Sequence, residues 1–175
     1  MSKQIIVVDY DDNEIGVGEK IDIHKKGLLH RAFSVFLVNK SKVLLQKRNI
    51  SKYHSGGKIA NSCCSHPYVG ETTQIAAERR VAEELGIAHI DLTEIGYIVY
   101  RCDFGTGITE YEYDHIFVGF YDGQVVPDKN EIEEAYWQEV DLIKMDVANH
   151  PEKYTCWFIS AFTVLLEYLR NEKRI

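Results

Sequence analysis

The chain has 175 residues, 45% of them hydrophobic and 27% charged. A chain of this length buries about 70% of the surface its unfolded form exposes, which supports one core without staples and excludes a disulfide mini-protein, a collagen-like fibre and a disordered tail. With 20 Lys and Arg against 27 Asp and Glu the net charge is −7, so the basic footprint of a nucleic-acid binder is missing, although a local basic pocket for a small anion is not.

Along the chain, Ile5 to Asp9 reads as a short strand, followed by a polar turn at Asp11, Asp12 and Asn13. β-favouring residues from His30 to Val38 and from Lys42 to Lys47 flank a turn at Asn39, Lys40 and Ser41 and predict a hairpin. Thr72 to Leu85 reads as a helix, with threonines at its start, abundant Ala and Glu, and Gly86 just past its end. Strands are predicted over Glu94–Arg101, Tyr111–Tyr121 and Tyr136–Val140. A last helix is predicted from Tyr154 to Asn171, with Trp157, Ala161, Val164, Leu165 and Tyr168 on its apolar face. Strands mixed with two or three helices, without regular βαβ alternation, predict an α+β fold. We read residues 1–175 as a single domain with its core at about 30–140 and a C-terminal helix at about 154–171.

Four cysteines, Cys63, Cys64, Cys102 and Cys156, do not make a disulfide framework in a chain this long. No basic stretch followed by an apolar one opens the sequence, and the longest apolar run, Cys156 to Leu166, is far short of the ~20 residues of a membrane span. The expectation is a cytoplasmic protein with free thiols and no membrane partner.

Several groups of residues could carry chemistry. On the predicted helix Arg80 and Glu84 are four residues apart on one face, and Arg79 and Glu83 share the neighbouring one. Taken alone, that pattern is a solvated helix with two ion pairs. Just before it runs Asn61-Ser62-Cys63-Cys64-Ser65-His66-Pro67. If this stretch is extended, Cys64 and His66 share one face while Cys63 points to the other. On a strand Glu110 and Glu112 also share a face, which is either solvated or committed to a cation. Two histidines, His24 in the loop before a strand and His30 opening that strand, and a scatter of cations at Lys20, Arg48, Lys52 and Arg80 complete the set.

The helix and its lead-in have the spacing of a Nudix box, G-x5-E-x7-R-E-U-x-E-E-x-G-U with U aliphatic, read here on Glu71, Arg79, Glu83, Glu84, Gly86 and Ile87. The departures are Arg80 at the first glutamate of the R-E-U-x-E-E run and Ser65 at the opening glycine. Together with Glu19-Lys20-(x3)-His24, His30-Arg31-Ala32-Phe33-Ser34, Arg48-(x2)-Ser51-Lys52, Asn61-Ser62-(x)-Cys64-(x)-His66-Pro67, Tyr100 and Glu110-(x)-Glu112, the chain resembles type 1 isopentenyl-diphosphate isomerases. The resemblance runs from about Glu19 to Trp157.

It implies a Nudix-like mixed β-sheet sandwiched by helices, and isomerisation of isopentenyl diphosphate to dimethylallyl diphosphate in isoprenoid biosynthesis. Cys64 and Glu112 would be the catalytic acid–base pair, Tyr100 would support Glu112, and Trp157 would cover the reacting carbons. His24, His30, His66, Glu110 and Glu112 would hold one divalent ion at a site suited to Zn, Mn or Fe, with Mn2+ or Zn2+ expected. Glu84 would hold a Mg2+ bridging the diphosphate, which Lys20, Arg48, Lys52 and Arg80 would contact. Two departures are local: residues 54–60 lack the tryptophans of many members, and the His24–His30 interval is one residue short. The rival classes are a Nudix-type diphosphate hydrolase, opposed by Arg80, and an inactive Nudix-fold interaction module, opposed by the joint presence of Cys64, His66, Glu84, Glu110 and Glu112.

Overall fold

The computed structural model describes residues 4–52 and 54–175. In chain order the elements are β1 (Gln4–Val8), β2 (Glu14–Glu19), α1 (Lys20–Lys26), β3 (His30–Asn39), β4 (Lys42–Arg48), β5 (Ile59–Ala60), β6 (Cys63–Ser65), α2 (Thr73–Leu85), β7 (Leu92–Asp103), β8 (Thr109–Phe120), β9 (Ile132–Glu139), α3 (Val140–Asn149) and α4 (Phe158–Asn171). The α+β reading holds: a mixed sheet is covered by helices on both faces.

The sheet is organised around β3. One of its edges pairs in parallel with β8 along nearly its whole length, from His30 with Glu112 to Val38 with Phe120. Its other edge is shared by β1, β6 and β4 in succession. The predicted hairpin therefore exists only at its tip: β3 and β4 pair at Val38–Val43 and Asn39–Lys42, after which β4 leaves to pair with β9. Into the gap so opened comes β6, with Ser34 opposite Cys64 and Val35 opposite Cys63.

Strand alternation then sorts the core. Phe33, Val35 and Leu37 face α2 and bury Ala76, Ala77, Val81 and Leu85. Phe36 and Val38 face α4 and bury Phe158, Ala161, Phe162 and Leu165. At ~1.5–3 kcal/mol for each fully buried large side chain, these two layers supply the bulk of the driving force.

Helix α2 starts and stops where its sequence requires. The Thr72 hydroxyl accepts from the Ile75 amide at 3.2 Å, and Gly86 ends the helix at φ 69°. Gly86 is also held to glycine by space, because a Cβ there would lie 3.1 Å from the Val126 carbonyl oxygen.

Three expectations need correction. The last helix begins at Phe158, not Tyr154; Trp157 precedes it, and its ring belongs to the site rather than to the core stripe. Val140 opens α3 instead of closing a strand. His24 lies on α1, not in a loop: the seven-residue helix has no side-chain cap at its start and ends at Gly27 in the left-handed conformation, so its pattern is too short to read from sequence.

Candidate active site

The register places the reactive groups. Cys64 lies beside Ser34, and Glu112 lies beside His30, on strands that flank β3 from opposite sides. Strands are ~4.8 Å apart, so thiol and carboxylate stand on the same face of the sheet with one strand between them. Cys63 takes the opposite face and is fully buried against the α2 layer. The alternation inferred for residues 61–66 is thus observed.

A pocket of about 190 Å³ opens on that face. Its lining includes Cys64, His66, Tyr100, Glu110, Glu112 and Trp157 at one end and Lys20, Arg48, Lys52, Arg80 and Glu84 around the rest. Every catalytic and diphosphate-contacting residue expected from the sequence is therefore in one cavity. His24 and His30 lie behind it, fully buried.

The buried end is a cluster of His24, His30, His66, Glu110 and Glu112, each offering a ligand atom within 4.8 Å of all the others. Its chemistry fits a cation. His24 Nδ1 donates to the Lys20 carbonyl at 2.5 Å and His30 Nδ1 to the Leu28 carbonyl at 2.8 Å, so a neutral ring has its Nε2 lone pair free to ligate. Those nitrogens face partners that a lone pair would repel: His24 Nε2 is 3.1 Å from Glu110, and His30 Nε2 is 3.2 Å from His66 Nε2. Burial, with Lys20 and His30 nearby, holds the His66 imidazole well below its ordinary value, in the neutral form a metal requires. Three imidazoles and two carboxylates suit a divalent ion.

The proton-handling groups are shaped by the same burial. Burial pushes the Cys64 thiol up to about 12, against the pull of Arg48, whose guanidinium donates to the sulfur at 3.8 Å. For Glu112 burial also acts upward, but its hydrogen-bonding neighbours outweigh it and hold the carboxyl below the ordinary carboxylate range. Those neighbours are Glu110, His30 and the Tyr100 hydroxyl, which donates at 2.6 Å. Burial raises the Tyr100 phenol well above its usual value, so it remains a donor. Beneath them the Asp114 carboxyl is pushed far up by burial and by Glu112, and it accepts from the Ser34 hydroxyl at 2.8 Å. Trp157 lines the pocket and is held in place: its indole N–H donates to Asn61 Oδ1 at 3.0 Å, and Asn61 is fixed by the carbonyls of Val35 and Cys63.

The other end is a mesh of opposite charges. Arg80 pairs with Glu84 and Glu83, and lies 3.5 Å from Glu131. Lys52 also pairs with Glu131. Glu131 escaped the sequence reading because it belongs to no motif and reaches the pocket only through the turn that precedes β9. His54, on the β4–β5 loop, escaped for the same reason, yet it lines the pocket and touches Glu110.

The NUDIX domain family matches residues 28–158, and the chain is a Nudix-fold protein. The fold agrees with that of the MutT protein from Methanosarcina mazei, with a TM-score of 0.65 at 17% identity over 84% of this chain and 96% of that one. Sequence relatives are far more similar. An isopentenyl-diphosphate Delta-isomerase 2 from Photorhabdus laumondii is 42% identical over 90% of this chain and 89% of its own. An isopentenyl-diphosphate Delta-isomerase from Serratia proteamaculans is 40% identical over 98% and 94%. This chain belongs to the isopentenyl-diphosphate Delta-isomerase family.

Proposed function

We propose that the chain converts isopentenyl diphosphate to dimethylallyl diphosphate, in the service of isoprenoid biosynthesis, with Cys64 and Glu112 moving the protons. The observation that carries this reading is the placement, in one pocket, of the Cys64 thiol and the Glu112 carboxylate on strands that flank β3. A diphosphate hydrolase has no use for that pair.

The substrate sets the requirements. Shifting its double bond adds a proton to the terminal alkene carbon and removes one from the neighbouring methylene, through a tertiary carbocation. Cys64 and Glu112 form the acid–base pair that gives one proton and takes the other. Exchange with solvent afterwards restores the thiol and the carboxylate. Tyr100 keeps Glu112 oriented by donating to its second oxygen. The Trp157 π face stabilises the cation by ~2 kcal/mol when desolvated. Its burial, at 3% exposed, keeps water from capturing that cation.

His24, His30, His66, Glu110 and Glu112 would hold a divalent ion, Mn2+ or Zn2+ by ligand type, supplying positive charge that fixes and polarises the carboxylates. Glu84 would hold Mg2+ against the diphosphate. Lys20, Arg48, Lys52 and Arg80 bind the diphosphate oxygens, and that remote binding energy positions the small hydrocarbon end. A free Cys64 thiol that must stay reduced to act fits a reducing compartment such as the cytoplasm.

The test is incubation with isopentenyl diphosphate and Mg2+ in D2O, followed by NMR. Dimethylallyl diphosphate carrying deuterium is the expected product. Release of inorganic phosphate would make the chain a hydrolase, and an unaltered substrate would make it a non-catalytic module.

A further inference from the structure

Beyond the groups already given roles, the pocket contains one buried imidazole. His54 stands on the loop from residue 49 to residue 58, and its side chain is 5% exposed. Its Nε2 lies 2.7 Å from Glu110 Oε1, shorter than the 3.1 Å from His24 Nε2 to that same oxygen. Only an N–H can approach a carboxylate oxygen so closely, so His54 Nε2 donates. The ring itself is clamped. It stacks on Phe104 with centroids 4.7 Å apart and planes 20° apart, and its edge meets Trp157 at 6.2 Å and 77°.

The loop is shaped to put the ring there. Ser55 and Gly57 take the left-handed conformation at φ 52° and 77°. The Gly57 amide donates to the Arg48 carbonyl at 3.0 Å, and the Arg48 amide donates to the Lys58 carbonyl at 2.9 Å. At Gly56 a Cβ would fall 2.5 Å from the Ile50 carbonyl oxygen, so no larger residue fits. This glycine-turned path, in a segment without tryptophan, directs His54 inward over the cluster.

We infer that His54 is a positioning residue for Glu110, clamping its carboxylate from the pocket side while His24 faces the same oxygen from behind. The inference rests on the reading of Glu110 as a metal ligand. A ligating carboxylate held by an outer donor cannot rotate away from the ion, and losing such a donor lowers metal affinity by about 10- to 100-fold. Because the contacts described for His54 run to Glu110, Ser55, Phe104 and Trp157, its loss acts on the ion and on turnover rather than on diphosphate binding.

The experiment compares wild type with His54→Phe, which keeps the stack and loses the donor, and His54→Gln, which regains a donor. Zn2+ affinity is read by competition with a chelating dye, kcat and KM are read with isopentenyl diphosphate, and the thermal midpoint serves as a folding control. Should His54→Phe not fold, His54→Asn, too short to reach Glu110, takes its place. The expected result is Zn2+ affinity lowered by about 10- to 100-fold and a reduced kcat at unchanged KM, with His54→Gln recovering most of both. Equal Zn2+ affinity in wild type and the donor-less variant, or a change confined to KM, overturns the positioning role alone. A wild-type chain that takes up Zn2+ no better than Glu110→Gln overturns the metal reading, and the role of His54 with it.

Discussion

The two ends of the pocket are built in different ways. At the end proposed for the diphosphate, Arg80 and Glu84 come from one helix, where they meet because α-helical spacing puts residues four apart side by side, while Lys20, Arg48 and Lys52 come from α1, β4 and the loop after it. The result is a half-open mesh of ion pairs, with Arg80 14% and Glu131 28% exposed, already neutralised and ready to exchange partners. At the hydrocarbon end five ligand groups come from α1, β3, the residue after β6, and β8, and all five are buried. There the sheet register brings them together, and burial makes each group depend on the others, because an unpaired buried charge is costly. Damage should therefore be graded at the exposed end and nearly all-or-none at the buried one.

Removing the metal tests the buried end most severely. Exhaustive chelation is expected to abolish isomerisation, with Mg2+ present, while circular dichroism stays native, since the two apolar layers do not involve the cluster. Native-rate turnover by protein shown to be metal-free would break the contrast between the two ends.

Next in size is the neighbouring-cysteine pair. Cys64→Ala should lower turnover by at least ~10²–10⁴-fold, the usual worth of a general acid–base group. Cys63→Ala, whose thiol is buried in the α2 layer beside Glu84, should keep most activity and lose about 1 kcal/mol of stability. Equal losses in the two, measured side by side, would refute the face assignment.

Arg80→Glu addresses the graded end. It restores the hydrolase-type residue but removes a diphosphate donor, so KM should rise by an amount worth about 2–5 kcal/mol, with no phosphate released. An unchanged KM counts against Arg80 as a substrate ligand.

The smallest effect is one of pH. The folded Cys64 thiol is held at about 12 against an ordinary 9.0, so between those values the unfolded chain releases a proton that the folded chain retains. Stability is thus lost as pH rises through that window. Thermal midpoints should fall less steeply above pH 9 in Cys64→Ala than in wild type, and parallel slopes would show that the thiol is not so perturbed.

How much of this was legible beforehand follows the same divide. Local spacing and alternation are properties of the chain itself, so α2 with its Thr72 cap and Gly86 stop, the Arg80–Glu84 pair, and the opposed faces of Cys63 and Cys64 could all be read from residues. The family resemblance, carried by motifs in chain order, named the five residues that the structure gathers into one cluster. It could do so even for His24, whose interval to His30 is one residue short, because α1 closes at Gly27 and still delivers the imidazole.

The order of elements in space was a different matter. That β4 would abandon β3 after two residue pairs, leaving its edge to β6, is decided by competition among strands distant in sequence. The pocket exists because of that departure. Glu131 and His54 reach it from turns with no periodicity and no motif, on paths fixed by contacts such as Gly56 against the Ile50 carbonyl. The sequence by itself determined which chemistry the chain carries, because reactive residue types and their local spacing are written there. Only the tertiary structure decided what holds that chemistry in place, because close approach between remote segments depends on the packing of the whole sheet.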